Sequence, residues 1–135
     1  MTEKELSGLY YLNRETERLQ KEREEIEYSI SVKSVVLSHA PKSKRRYGVE
    51  DLAVELADIK NLIQLKLREI QLERAKLERY IGSIEDPKIR EIFYLRYVNG
   101  MKWREVGKEM HMSHASVFNK HKEYLKKINK INMGV

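Results

Sequence analysis

The chain has 135 residues, enough for one or two small domains, and 36% of them are charged. It has no cysteine, which excludes a disulfide framework and a thiolate metal site and fits a reducing cytoplasm. The N-terminus is charged from residue 3 onward and no apolar run could cross a membrane, so we expect a cytoplasmic protein without signal peptide or membrane anchor. Apolar residues recur at helical spacing, and no strand pattern is found, which predicts an all-α fold.

The net charge of +6 is unevenly distributed along the chain. Residues 87–135 contain 11 Lys or Arg against 4 Glu, residues 38–49 add four more basic side chains, and the remainder is acidic. This asymmetry is typical of a phosphate-binding end on a solvated helical body. The alternative is that the lysine-rich helix faces are merely solvated.

Two long stretches carry apolar residues at alternating spacings of three and four, the pattern of a heptad seam. The first seam consists of Leu9, Leu12, Thr16, Leu19, Arg23, Ile26 and Ile30. The second consists of Leu52, Leu56, Ile59, Ile63, Lys66, Ile70, Glu73, Leu77, Tyr80 and Ile84. Their similar lengths predict a long antiparallel, coiled-coil-like helical hairpin over residues 1–85.

A loop at residues 38–49 joins the two predicted helices and contains Pro41 and Gly48. It also holds a secondary basic patch, formed by Lys42, Lys44, Arg45 and Arg46. Such a tract can bind DNA phosphates, but we favour a flexible, soluble connector because nothing in the sequence fixes its geometry.

The second long helix has more apolar surface than one partner helix needs. The residues that widen its stripe are Leu62, Leu65, Leu67, Leu72 and Ala75. Either the C-terminal part of the same chain or a second copy must cover them, and we favour a homodimer over a monomer.

Residues 86–135 predict a three-helix domain with a helix-turn-helix. Asp86 can cap the first helix with Pro87 at its first position, and Asn99-Gly100 ends that helix in a turn. The second helix starts near Lys102 and carries an apolar stripe, which comprises Trp103, Val106, Gly107 and Met110. Gly107 lacks a side chain, so another helix can approach there.

After a turn at His111-Met112, Ser113 can cap a third helix over residues 113–130. Its inner face is predicted to comprise Val117, His121, Tyr124, Leu125 and Ile128. The opposite face, which includes Asn119, is therefore free to meet a ligand.

In this register the segment resembles the fourth, promoter-recognising region of bacterial sigma factors, over about a third of the chain. The matching positions are Ile92, Leu95, Arg96, Tyr97, Gly100, Trp103, Val106, Gly107, Ser113, Val117 and the tail 125–128. The whole chain resembles a small phage family related to the late-gene regulators of the ArpU type. Two positions depart from the sigma pattern: His111 stands where glycine is usual, and His121 where leucine is common.

The resemblance implies a sequence-specific, double-stranded-DNA-binding transcriptional regulator, phage or prophage encoded, that reads DNA with helix 113–130 and contacts RNA polymerase. No segment resembles the sigma region that opens promoters, so we do not expect it to initiate transcription alone. The resemblance and the helical period assign base contacts to His114, Ala115, Ser116, Phe118 and Asn119. Phosphate contacts are expected from Arg104, Lys120, Lys122 and Lys126.

We expect neither an enzyme nor a cofactor or metal site. His111, His114 and His121 lie close in sequence, but no zinc-binding spacing or glycine-rich phosphate loop accompanies them. Two other functions remain open. One is a phage small terminase subunit, which packages DNA, and the other is a helical adaptor that binds an acidic protein.

Overall fold

The computed structural model of the protein describes residues 1–37 and 47–133. Its helices are α1 (Glu3–Leu6), α2 (Gly8–Leu37), α3 (Tyr47–Gly82), α4 (Pro87–Phe93), α5 (Trp103–Met110) and α6 (His114–Met133), with a π-helical segment (Tyr94–Val98) after α4. These residues contain no strand, which confirms the predicted all-α class. Over the same ranges, no helix is both long and apolar enough to cross a membrane.

The chain forms two compact units, one built from residues 1–11 together with 70–135 and the other from residues 12–69. The sequence predicted a different division, into 1–85 and 86–135. The difference arises because the first turns of the chain and the end of α3 share a core with the C-terminal helices.

Residues 12–69 form an antiparallel helical hairpin, as predicted. Lys66 on α3 forms an ion pair with Glu15 on α2 at 3.1 Å. Nearer the other end of the pair, the Lys33 side chain lies beside Gly48, with Nζ 3.2 Å from where a Cβ would stand. Residue numbers thus fall along one helix as they rise along the other.

The predicted heptad seam is the buried side of the hairpin. Ile59 and Ile63 are buried, and every other predicted seam residue between 12 and 69 is buried or half-buried. Two polar members of the seam have partners that make their burial tolerable: Thr16 donates from Oγ1 to the Leu12 carbonyl at 2.8 Å, and Lys66 is paired with Glu15.

The leucines outside the seam are exposed in the part of the chain that the structure describes. Leu62, Leu65 and Leu67 are 41%, 59% and 38% exposed, and Leu72 is 68% exposed.

Helix α3 begins at Tyr47, so the predicted loop 38–49 is wrong at its end, where residues 47–49 are already helical. The basic patch of Lys42, Lys44, Arg45 and Arg46 lies outside the described residues.

The other unit is organised around one apolar core to which both ends of the chain contribute. Its buried members are Leu6, Leu9, Leu77, Ile81, Ile84, Ile89, Ile92, Phe93, Leu95, Tyr97, Val106, Val117 and Leu125. Leu6 and Leu9 come from the start of the chain, so residues before the predicted domain complete the core behind the helix-turn-helix.

The first helix of the predicted three-helix domain begins as expected. The Asp86 carboxylate accepts hydrogen bonds from the backbone N–H groups of Lys88, at 2.9 Å, and Ile89, at 3.4 Å, with Pro87 at the first position. Gly100 forms the turn before α5 with a φ of 70°. Glycine suits this position because it has no side chain to clash in the left-handed region.

Candidate nucleic-acid interface

Helices α5 and α6 meet in a tight corner whose closest point is Gly107. A Cβ built on Gly107 would lie 2.7 Å from the Met112 carbonyl oxygen and 3.2 Å from the His114 nitrogen. The Met112 N–H donates to the Gly107 carbonyl at 2.8 Å, which closes the turn. The chain changes direction at His111, whose φ of 55° and ψ of 42° are those of the left-handed helical region. Histidine therefore adopts a backbone conformation that is more common for glycine.

Ser113 begins α6 as predicted, because its Oγ accepts a hydrogen bond from the Ser116 N–H at 3.1 Å. The helix then runs from His114 to Met133, three residues beyond the predicted end at 130. Its inner face is the predicted one, with Val117, His121 and Leu125 buried and Tyr124 and Ile128 half-buried.

An aromatic cluster around His121 anchors α6 to the core. The imidazole is fully buried, with its ring centroid 4.5 Å from that of Trp103 and 5.2 Å from that of Phe93. Burial raises the pKa of Tyr97, so at neutral pH its hydroxyl keeps its proton and is hydrogen-bonded with Nε2 of His121. The core accommodates the imidazole because the Tyr97 hydroxyl gives it a polar partner.

The buried imidazole makes the fold sensitive to acid. Burial lowers the pKa of His121 to about 4, from an ordinary value of 6.5, outweighing the nearby Glu3 carboxylate, which raises it. Its contribution to stability is therefore complete above pH 6.5 and is lost as the pH falls towards 4. We expect the free energy of unfolding to be about 2 kcal/mol lower at pH 5 than at pH 7.

Denaturant titrations between pH 7 and pH 5 would measure the loss in the free energy of unfolding. Two variants test whether His121 causes this loss. His121→Leu should lose this part of the pH dependence, whereas His114→Gln, which alters an exposed histidine on the same helix, should keep it. A His121→Leu variant as acid-sensitive as the parent would contradict the assignment.

The five candidate base-contact residues differ in their exposure to solvent. His114, Ala115, Ser116 and Asn119 are exposed on the first turns of α6. Phe118 is half-buried, because its ring packs edge-on against Trp103 at a centroid distance of 5.4 Å. Four of the five side chains are therefore free to approach a base edge, and Phe118 supports the corner.

The candidate phosphate contacts lie on the same two helices, Arg104 on α5 and the three lysines on α6. Arg104, Lys122 and Lys126 are exposed, and Lys120 is half-buried. Lys122 is also held by the chain itself, since its Nζ lies 2.9 Å from a carboxylate oxygen of Glu3.

Glu3 is a site residue that the sequence did not reveal. It lines a cleft of about 520 Å³ together with Asn119, Lys122, Lys126 and neighbouring residues of α6. The Lys122 side chain is the main cause of the lowered pKa of the Glu3 carboxyl, which is therefore ionised at neutral pH. Because 119 positions separate Glu3 from Lys122, no local spacing could have signalled their contact.

The histidines of this region do not converge on one point, since His121 is buried in the core and His114 is exposed. Among the described residues, no three His, Asp or Glu side chains are placed to share a metal ion.

The fold and this corner define an all-α helix-turn-helix protein. The chain belongs to the family described as protein of unknown function DUF1492, which matches residues 30–129. Comparison with curated proteins found no match, and comparison with solved structures found none either.

Proposed function

We propose that this protein is a sequence-specific, double-stranded-DNA-binding transcriptional regulator that inserts the first turns of α6 into the major groove. The observation that carries the proposal is the corner at Gly107, where the backbone is so close that an added Cβ would lie 2.7 Å from the Met112 carbonyl oxygen. A corner of this kind leaves the outer face of the second helix clear of the first.

The chemistry of that outer face suits duplex DNA. Asn119 is exposed, and its amide can pair with both N6 and N7 of adenine. Lys122 and Lys126 line the same cleft as Asn119, and Arg104 is exposed on α5; all three are flexible cations that can bind phosphates without reading sequence. Residues 87–135 are also strongly basic, with 11 Lys or Arg against 4 Glu.

We also propose an origin and two protein partners for this chain, RNA polymerase and a second copy of itself. The likeness to phage late-gene regulators of the ArpU type supports a phage or prophage origin, and the likeness to sigma factors supports work beside RNA polymerase in the cytoplasm. The exposed Leu62, Leu65 and Leu67 support a homodimer that covers them and reads a two-part site. Light scattering should show Leu65→Asp to be monomeric if this face joins two copies.

Two variants of α6 separate sequence reading from phosphate binding. Asn119→Ala should weaken binding to the preferred site by about 1 to 3 kcal/mol and leave random duplexes unaffected. Lys126→Ala should weaken both kinds of duplex alike and reduce the salt dependence of log K by about one. Fluorescence anisotropy at several salt concentrations would measure both effects. Equal losses on specific and random duplexes for Asn119→Ala would contradict docking of α6 in the major groove.

The broader test is to select the genomic fragments that the full chain binds and to follow a reporter placed behind them. Fragments upstream of genes whose expression changes would support regulation. Enrichment at a packaging site, together with a ring assembly, would select the small terminase subunit instead. Failure to bind any duplex at physiological salt would favour the protein-binding adaptor.

A further inference from the structure

The start of the chain places a carboxylate inside the proposed DNA interface. Glu3, on α1, contacts Lys122 at 2.9 Å, and both side chains face the cleft that also contains Asn119 and Lys126. Lys122 is one of the cations assigned to a DNA phosphate. A negative group of the protein therefore occupies the place where a negative group of DNA would bind.

The position of Glu3 is fixed by its surroundings. The Thr2 side chain caps α1 by accepting from the Glu5 N–H at 3.2 Å, and Ser7 donates from Oγ to the Glu3 carbonyl at 2.9 Å. Leu6 is fully buried and Leu9 is 2% exposed, so the end of this short helix and the start of α2 are anchored in the core. The core thus holds the backbone of Glu3 in place, and the carboxylate contacts Lys122 on α6.

We propose that Glu3 restrains DNA binding by competing with the phosphate backbone for Lys122. The inference rests on the proposed function and specifies how the same site is regulated. A phosphate that binds Lys122 must displace the Glu3 carboxylate and then lie close to it. Any event that removes this charge, or lifts α1 from α6, raises the affinity for DNA.

The expected size of the effect follows from the exposure of the pair. The Lys122 and Glu3 side chains are 50% and 45% exposed, so solvent and salt screen their attraction. We expect Glu3→Gln to bind duplex DNA about two- to fivefold more tightly than the parent at low salt. The salt dependence of log K should steepen by up to about one, because a freed Lys122 releases a counterion on binding.

Glu5→Gln is the matched control. It changes the net charge equally and lies on the same helix, but the Glu5 carboxylate accepts from Thr2 Oγ1 at 3.3 Å instead of contacting α6. Anisotropy titrations of one duplex with the full-length parent and both variants would measure the difference. Thermal unfolding would show that both variants remain folded. A smaller gain for Glu5→Gln than for Glu3→Gln supports a specific restraint.

A double-mutant cycle completes the test. In a Lys122→Ala background, Glu3→Gln should lose most of its effect, because the cation for which it competes is gone. Equal gains for Glu3→Gln and Glu5→Gln, or no gain for Glu3→Gln, would overturn the restraint while leaving the proposed function intact. Absence of duplex binding by the parent and by every variant would overturn both.

Discussion

Replacing Ile63 by aspartate is expected to lower the free energy of unfolding by about 3 to 5 kcal/mol. Ile63 is 6% exposed on the seam of the antiparallel hairpin, where its apolar side chain faces α2. Aspartate would remove these contacts and leave a buried carboxylate without a cation fixed beside it. Chemical denaturation followed by circular dichroism would measure the loss.

The control for this variant is Gln64→Asp, one residue further along α3. Gln64 is exposed, so its replacement introduces the same charge and a similar change in helix propensity without disturbing the seam. We expect a change within about 0.5 kcal/mol. Equal stabilities for the two aspartate variants would show that the seam has been assigned to the wrong face.

Replacing Gly107 by alanine is expected to lower the free energy of unfolding by about 2 to 4 kcal/mol and to weaken DNA binding with it. The new methyl group would stand 2.7 Å from the Met112 carbonyl oxygen and 3.2 Å from the His114 nitrogen. Both neighbours are backbone atoms, so neither can rotate away, and the corner between α5 and α6 must open instead. Thermal or chemical unfolding, paired with anisotropy, would measure both losses.

Gly82→Ala provides the comparison, because no atom lies within 4 Å of the added methyl group at the end of α3. There the same substitution should be neutral or stabilise the fold by up to about 1 kcal/mol. Similar losses at both glycines would mean that the effect of Gly107→Ala comes from helix ends in general and not from the corner.

Much of the fold could be predicted because helical periodicity is local information. Even the polar residues Arg23 and Lys66 are half-buried at the seam, as their positions in the heptad pattern predict. The reason is that the apolar residues three and four positions away determine which side of a helix is buried. Capping residues were equally informative: Asp86 and Ser113 both start helices in the structure as their side chains suggest.

The candidate site could be predicted only in part. The exposure of Asn119 follows from its angle around α6, about opposite the buried Val117. The angle alone misjudged Phe118, because a long aromatic side chain can lean onto the neighbouring Trp103. Periodicity cannot show the contact between Glu3 and Lys122, which depends on where the tertiary fold brings the start of the chain.

The shared core of residues 1–11 and 70–135 sets an order for folding during synthesis. Leu6 and Leu9 leave the ribosome well before Leu77 and Ile81, which share their core and follow only after the whole of residues 12–69. Val117 and Leu125 emerge later still. Pairing of α2 with α3 brings together the two ends of the stretch that separates Leu9 from Leu77. The effective loop that must close before the core residues meet is then shorter, so the entropy cost of closing it is lower. We therefore expect the hairpin to form while the protein is still being made, and the corner of α5 and α6 to complete its packing only after α6 has left the ribosome.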